Sequence, residues 1–191
     1  MPNWLIMVIS LGMNVRIISG KFGGRVIKAP DGITTHPMSE RVRGSLFNIL
    51  TDEIVGAEVL DAFAGSGSLG IEALSRGASS VMFLERDRAA SKILTENINL
   101  LKINAEATAM QINVATWITK NPDKLYDVIF TDPPYNDMQF STVSRLCELL
   151  KPNGLMILSY PGRGEVLPIN GIVVVDDRSY GNAALRFYRK K

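Results

Sequence analysis

From Ala57 onward, the hydrophobic and polar positions of the chain follow two alternating periods. Short apolar runs rich in β-branched residues predict strands, and runs with apolar residues on one helix face predict helices. We predict strands near 57–62, 80–85, 107–112, 127–132 and 154–159, and helices at 68–76, 88–100, 114–120 and 138–150. Because a helical segment joins each pair of successive strands, these strands are expected to be parallel, as in a doubly wound α/β sheet.

The end of the chain departs from this alternation. The runs GIVVVDD (171–177) and AALRFYRK (183–190) are separated only by RSYGN. A parallel connection needs a dozen or more residues, so the two runs predict an antiparallel hairpin. The expected result is a Rossmann-like sheet of seven strands whose last strand is antiparallel.

A hairpin and a helix are predicted before the sheet. The run VRIISGKFGGRVIKAP predicts a hairpin that turns through Gly23 and Gly24. A helix then begins at Ser39, and it places four residues at core spacing, namely Val42, Leu46, Ile49 and Leu50. We therefore divide the chain into a segment 1–12, a hairpin and helix at 13–55, and a sheet domain at 56–191.

Residues 1–12 are apolar, but they lack a basic region and are too short to span a membrane. They are interpreted as a tail or as the product of an upstream start codon. No other run reaches the length of a membrane span. Cys147 is the only cysteine and falls in a predicted helix, which indicates a buried thiol. We expect a cytoplasmic protein, and a monomer.

Charge is distributed unevenly in this chain of 191 residues with a net charge of +2. Residues 14–50 contain six Lys and Arg against two acids, residues 176–191 contain five against two, and the remainder contains ten against fifteen. Basic ends around an acidic body indicate a local contact with an anionic partner. Charge that merely solubilises the two ends would give the same distribution.

A glycine-rich loop follows the first strand of the sheet domain. The run VLDAFAGSGSLGIEAL predicts a buried strand, a loop and a helix. Glycines let the backbone approach a ligand closely, and a helix N-terminus offers N–H groups to an anion. Glu85 ends the next strand, twenty residues after Gly65, where a carboxylate can accept both ribose hydroxyls of an adenosine. The pattern fits S-adenosylmethionine and a dinucleotide equally, and a simple tight turn would use the same glycines.

The acid before the loop favours S-adenosylmethionine. Asp61 would repel a pyrophosphate, whereas it can hold the ammonium group of a bound amino acid. Asn113 stands at the end of the third strand, where its amide oxygen could accept the adenine amine or have no ligand role. The candidate cofactor contacts are Asp61, Phe63, Gly65, Ser66, Gly67, Glu85, Arg86, Asn113 and Val114.

The tetrapeptide Asp132-Pro133-Pro134-Tyr135 directly follows the fourth strand. The two prolines prevent a helix from starting there and hold the preceding residues extended. The Asp132 carboxylate and the Pro133 carbonyl can then accept both N–H bonds of an exocyclic base amine, which frees the nitrogen lone pair for attack on a methyl group. Tyr135 can stack on the base. The candidate catalytic residues are Asp132, Pro133 and Tyr135, and the chemistry requires no metal.

Together these motifs resemble the bacterial 16S rRNA guanine-N2 methyltransferases of the RsmD type. The resemblance extends from about Met13 to the end of the chain, through RIISGKFGGR, SERVRGSLFNIL, DAFAGSGSLGIEALSRGA, FLERD, DVIFTDPPY and SYGNAALRFY. It implies the class I S-adenosylmethionine-dependent methyltransferase fold. It also implies methylation of guanine 966 of 16S rRNA in the small ribosomal subunit.

The resemblance also implies roles for particular residues. It places Asp132, Pro133 and Tyr135 at the substrate amine, and it offers Arg16, Lys21, Arg25, Arg41 and Arg43 as RNA contacts. The sequence departs from the family at Asn113, which replaces an acid, and at His36, before a proline where arginine is common. His36 is interpreted as a polar loop residue or as an RNA contact.

Three other functions share some of these motifs. A DNA adenine-N6 methyltransferase would have the same tetrapeptide, but it normally needs a separate region for reading DNA. A nicotinamide-dependent oxidoreductase would have the same glycine loop. A non-catalytic ribosome assembly factor would bind RNA independently of Asp132.

Overall fold

A computed structural model of the protein describes residues 14–30, 38–162, 169 and 171–191. The strands are β1 (Asn14–Arg16), β2 (Val26–Lys28), β3 (Glu58–Asp61), β4 (Ser80–Glu85), β5 (Ala107–Gln111), β6 (Tyr126–Thr131), β7 (Leu150–Pro161), β8 (Ile172–Tyr180) and β9 (Ala183–Lys190). The α-helices are α1 (Glu40–Ile49), α2 (Thr51–Ile54), α3 (Ser68–Ser75), α4 (Arg88–Leu101), α5 (Val114–Lys120) and α6 (Phe140–Leu146), and 3₁₀ turns occupy Gly20–Phe22 and Cys147–Leu149.

Seven strands form one sheet in the order β5-β4-β3-β6-β7-β9-β8. The pairs from β5 to β7 are parallel, whereas β9 is antiparallel to both of its neighbours. The strand order reverses between β3 and β6, so β3, β4 and β6 end side by side at the carboxyl edge of the sheet. The predicted α/β fold with an antiparallel final strand is confirmed.

Three predicted boundaries were wrong. Helix α6 ends at Leu146 instead of continuing to 150, and strand β7 begins at Leu150 instead of 154. Pro152 forces the residue before it towards extended backbone, which favours the early strand. The final hairpin turns through Gly181 and Asn182 alone, since β8 extends to Tyr180. Gly181 has a φ of +71°, which a two-residue hairpin turn readily uses.

Two apolar clusters cover the two faces of the sheet. Along β6, Val128 and Phe130 belong to one cluster and Ile129 to the other, as the alternation of a strand requires. Helices α5 and α6 cover the second face with Trp117 and Leu146. Helices α1, α3 and α4 and the hairpin β1–β2 share the first face, so the predicted boundary near residue 55 crosses a continuous core.

Helix α1 buries a different set of residues from the one expected. Ile49 is 38% exposed, whereas Arg43 is fully buried and belongs to the inward face with Val42, Leu46 and Phe47. The Arg43 guanidinium donates hydrogen bonds to the carbonyls of Met38 and Arg16. Burial lowers the pKa of Arg43, and the charges of Glu72 and Glu40 oppose this change.

The hairpin β1–β2 is attached to helix α3 by a buried carboxylate. Glu72 is fully buried, and it accepts hydrogen bonds from the Ile18 and Ser19 amides at 2.7 and 3.1 Å. It also pairs with Arg76 at 2.7 Å. A second attachment lies one turn further on, where Ser75 Oγ accepts from the Phe22 amide at 2.9 Å. The hairpin is thus fixed to the helix that follows the glycine loop.

Some predictions fall outside the described residues, namely the interpretation of residues 1–12 and the role of His36 before Pro37. Within the described residues, none of the helices has the length and apolar character needed to cross a bilayer.

We expect Glu72→Ala to lower the free energy of unfolding by about 3–5 kcal/mol, because removing one partner leaves buried charges and two amides uncompensated. Urea unfolding monitored by circular dichroism measures this change. The control is Glu58→Ala, which removes an exposed ion pair with Lys151 and should cost within about 1 kcal/mol. Equal losses in the two variants would contradict the role of Glu72.

Candidate active site

A cavity of about 700 Å³ opens where strands β3, β4 and β6 end. The predicted site residues that line it are Asp61, Phe63, Gly65, Ser66, Glu85, Arg86, Asn113, Val114 and Asp132. These residues come from four separate segments of the chain, and the parallel sheet brings them to one edge. Gly67, Pro133 and Tyr135 are outside this lining.

The glycine loop is shaped by backbone conformation and by packing. Gly65 and Gly67 have φ values of +54° and +83°, which favour glycine. A side chain at Gly67 would place its Cβ 2.5 Å from the Leu94 side chain. Gly67 is therefore required to be glycine by packing as well as by backbone conformation.

Glu85 is held by the backbone on both sides. Its carboxylate accepts hydrogen bonds from the Gly65 amide at 2.8 Å and from the Asp87 amide at 2.7 Å. Each oxygen retains a second lone pair, so the carboxylate can still accept ribose hydroxyls. The bond to Gly65 also fixes the glycine loop against the end of β4.

Asp61 is buried at the base of the cavity, where it is 1% exposed. Its carboxylate accepts one hydrogen bond, from the Gly70 amide at 3.0 Å. Burial raises the pKa of Asp61 to about 7, and the charges of Asp132 and Glu85 act in the same direction, whereas the Gly70 amide opposes them. A cation bound beside this carboxylate would lower its pKa again.

Asn113 caps a helix. Its side-chain oxygen accepts hydrogen bonds from the Ala115 and Thr116 amides at the start of α5. An N-cap satisfies helix amides that would otherwise lack partners. The oxygen that was expected to read an adenine amine is therefore already bound, although Asn113 lies in the cavity wall.

The loop after β6 is supported from strand β7. Tyr135 is 43% exposed, and its hydroxyl lies 3.0 Å from Ser159 Oγ. Ser159 is buried. Burial raises the pKa of Asp132, and the Ser159 hydroxyl opposes that rise. The Ser159 hydroxyl thus supports the Tyr135 ring and favours the ionised form of the Asp132 carboxyl.

The Pro133 carbonyl is free of hydrogen bonds from the described part of the chain. The turn in this loop is closed instead by the Asp137 amide, which donates to the Pro134 carbonyl at 2.8 Å. Asp137 also approaches Arg86 at 3.9 Å, so the loop lies near the end of β4. Pro133 itself is buried, between two residues that line the cavity.

The sequence analysis did not identify several residues of the site. Pro30, Met38, Asn136 and Gln139 line the cavity, and Ser159 supports it. A serine in the apolar run LMILSY was a usable signal, because a polar side chain in a buried strand needs a partner. No sequence pattern marks Gln139. It precedes helix α6 in the left-handed backbone conformation, with a φ of +46°.

The structure separates the five predicted RNA contacts into two groups. Arg16, Lys21, Arg25 and Arg41 are exposed. Lys21 and Arg25 lie on either side of the turn, within 5.3 and 5.8 Å of the Phe22 ring. The prediction for Arg43 was wrong, because its guanidinium is buried and donates to backbone carbonyls.

The described residues contain no cluster of three or more His, Cys, Asp and Glu side chains that could hold a metal ion. Cys147 is buried, and burial raises its pKa to about 12, which keeps the thiol protonated at neutral pH. This cysteine is therefore a packing residue.

The seven-stranded sheet, the glycine loop and the Asp-Pro-Pro-Tyr motif at the cavity define a class I methyltransferase. A family model described as "Conserved hypothetical protein 95" matches residues 15–189. The chain is also 34% identical over 180 residues to the ribosomal RNA small subunit methyltransferase D of Haemophilus influenzae, and the match covers 92% of this chain and 93% of that protein. The chain belongs to this methyltransferase family.

Solved structures agree with the fold. The protein yhhF of Escherichia coli has a TM-score of 0.84 at 32% identity, covering 94% of this chain and 99% of that one. The Thermus thermophilus 16S rRNA N2 G1207 methyltransferase, solved with AdoMet and guanosine, has a TM-score of 0.72 at 20% identity. That match covers 94% of this chain and 50% of the other, and it bears on the fold alone.

The raised pKa of Asp61 predicts a pH dependence of stability. Between the ordinary value of 3.8 and about 7, the folded protein retains a proton that the unfolded chain has lost. The unfolding free energy should therefore fall as pH rises through this range. Asp61→Asn keeps an acceptor for Gly70 and should abolish this contribution.

Urea unfolding at several pH values between about 5 and 8 measures the effect. The stability of Asp61→Asn relative to the native sequence should increase up to about pH 7 and then level off. The control is Asp123→Asn, which removes an exposed carboxylate. A constant difference between Asp61→Asn and the native sequence would show that Asp61 titrates normally.

Proposed function

We propose that the protein transfers a methyl group from S-adenosylmethionine to the N2 amine of a guanine in 16S rRNA of the small ribosomal subunit. The target that the family resemblance implies is guanine 966. The observation that carries the proposal is the position of Asp132, which lines the cavity directly before Pro133 at the end of β6. Such a substrate would place the enzyme in the cytoplasm.

The cavity has suitable groups for S-adenosylmethionine. Glu85 offers carboxylate oxygens to the ribose, and Asp61 offers a buried carboxylate to the ammonium group. The ammonium would favour the ionised form of Asp61, which burial disfavours in the absence of a bound cation. Gly65 and Ser66 provide the backbone wall between these two acids. When bound, the cofactor supplies an electrophilic methyl group.

The substrate amine would be oriented by the loop after β6. The Asp132 carboxylate and the Pro133 carbonyl accept its two N–H bonds, which turns the nitrogen lone pair towards the cavity. As the nitrogen gains the methyl group, the bond from that methyl carbon to sulfur would break, and the nitrogen would lose a proton to the Asp132 carboxylate. Burial raises the pKa of Asp132, which makes the carboxylate a better proton acceptor than an exposed one.

Tyr135 would support the base from one side. Its hydroxyl is bound to Ser159 and its ring is 43% exposed, so a fixed aromatic face is available for stacking. Base stacking on an aromatic side chain contributes about 1–3 kcal/mol. This helps to offset the few kcal/mol that are needed to remove a base from its neighbours.

The exposed cations of the N-terminal hairpin support an RNA substrate. Lys21 and Arg25 are exposed and flank Phe22 on the turn, and Arg16 is exposed on β1. The H. influenzae relative is named for ribosomal RNA, and it matches over nearly the whole chain. We therefore assign phosphate contacts to this hairpin and to Arg41.

A mapping experiment tests the proposed reaction. The protein is incubated with labelled S-adenosylmethionine and small subunits that lack the modification, and the labelled nucleotide is identified by primer extension and mass spectrometry. The expected product is one N2-methylguanine. Label on duplex DNA adenine, or RNA binding without transfer, would overturn the proposal in favour of a DNA methyltransferase or an assembly factor.

Asp132→Ala should lower kcat by about 100-fold or more, because a positioned acceptor at a reacting group typically contributes this much. The affinity for S-adenosylhomocysteine, measured by calorimetry, should stay nearly unchanged. Asp132→Asn separates charge from hydrogen bonding, since it keeps one acceptor oxygen. Retention of more than about a tenth of the native rate by Asp132→Ala would exclude this residue from the reaction.

Replacing both Lys21 and Arg25 by glutamine should raise the KM for small subunits while cofactor affinity is retained. Each lost phosphate contact should flatten the log–log salt dependence of RNA binding by roughly one unit. Filter binding across a salt series measures the slope. Lys120→Gln is the matched control, because Lys120 is exposed on α5 at the other face of the sheet. An unchanged slope in the double variant would exclude this hairpin as the RNA contact and favour the hairpin β8–β9.

A further inference from the structure

One buried carboxamide joins the N-terminal hairpin to the glycine loop. Asn97 on helix α4 is 1% exposed. Its Oδ1 accepts a hydrogen bond from the Lys28 amide at 3.0 Å, and its Nδ2 donates to the Lys28 carbonyl at 2.9 Å. The same Nδ2 also donates to the Ser66 carbonyl at 2.9 Å. Asn97 therefore contacts the last residue of β2 and the centre of the glycine loop at once.

Both N–H donors of the Asn97 side chain are used in this contact. A carboxamide has two N–H donors, and in Asn97 one is directed to Lys28 and the other to Ser66. A shift of either backbone segment would leave a buried polar group without a partner, which is costly in a protein interior. The positions of Lys28 and Ser66 therefore depend on each other.

The two segments joined by Asn97 belong to different parts of the proposed function. Ser66 lines the cavity, whereas Lys28 ends the hairpin that carries Arg16, Lys21 and Arg25. Within the described part of the chain, Asn97 is the side chain that hydrogen-bonds both the hairpin and the glycine loop. Glu72 and Ser75 also hold the hairpin, but they do so from the body of α3.

We propose that Asn97 is a positioning residue that couples cofactor binding in the cavity to RNA binding by the N-terminal hairpin. The inference rests on the proposed function. A cofactor that orders the glycine loop also orders Ser66, Asn97 and Lys28, so RNA then meets a hairpin that is already ordered. The coupling is positive and reciprocal, because the second ligand has less conformational entropy to remove.

The first test compares the affinity for unmodified small subunits with and without saturating S-adenosylhomocysteine. In the native protein the ligand should strengthen subunit binding by about fivefold or more, the lower limit of typical coupling. Asn97→Asp keeps the acceptor for the Lys28 amide but loses both donors, and the ratio should fall to near one. Asn97→Ala is a second variant, which removes the group without adding a charge.

Ser75→Ala is the matched control. It removes a buried hydrogen bond to the Phe22 amide and so weakens the attachment of the same hairpin, but it leaves the bond between Asn97 and Ser66 intact. If the coupling were lost only because the protein is less stable, Ser75→Ala and the Asn97 variants would lose it alike. The coupling ratio should be retained in Ser75→Ala and lost in the Asn97 variants, and loss in all of them would overturn the specific role of Asn97.

A second readout does not involve RNA. Amide hydrogen exchange of the peptide around Lys28 should slow by about fivefold or more when S-adenosylhomocysteine binds the native protein. This protection should be absent in Asn97→Asp. Unchanged exchange in the native protein, or a coupling ratio in Asn97→Asp equal to the native one, would overturn the inference. Failure of all variants to bind subunits would instead overturn the proposed function, and the exchange result would then still decide whether Asn97 links the hairpin to the cofactor site.

Discussion

The site depends on the close packing of helix α3 against strand β4. A Cβ at Gly70 would lie 2.2 Å from the Phe83 ring, so only glycine allows this approach. The approach brings the Gly70 amide to the Asp61 carboxylate, and it sets the start of α3 at the carboxyl edge of the sheet. Without it, the glycine loop could not close against Glu85, and the hairpin held by Glu72 would lose its support.

Three acids around one cavity would repel each other if nothing compensated their charge. Glu85 is compensated by two backbone amides, Asp61 by one, and Asp132 by the Ser159 hydroxyl. The compensation is least complete where burial raises the pKa, at Asp61 and Asp132. These are the two acids to which the proposed function gives a cationic ligand and a proton-losing amine. The groups that the fold leaves least satisfied are thus those that a ligand would satisfy.

The sequence predicted the sheet well because strands and helices differ in their hydrophobic period, and this period survives in a buried parallel sheet. The prediction failed where the polarity of a residue does not match its position on the helix face. Arg43 is charged yet lies on the inward face of α1, and Ile49 is apolar yet exposed. Nine of the residues predicted for the site line the cavity, because motifs at strand ends meet at one edge. Ser159 was missed, since its partner Tyr135 lies 24 positions away and meets it only through the pairing of β6 with β7.

The same argument explains why Asn97 could not be recognised in the sequence. An asparagine inside a helix is usually a solvated residue, and nothing in its neighbours marks the two backbone segments that it contacts. Lys28 is 69 positions away and Ser66 is 31. Both come within reach because the hairpin packs on the same face of the sheet as α3 and α4. The hairpin shares its core with the segments around the glycine loop, and Asn97 hydrogen-bonds both, so a movement of either one affects the other. The hairpin β1–β2 is therefore part of the same packed unit as α3, α4 and the sheet.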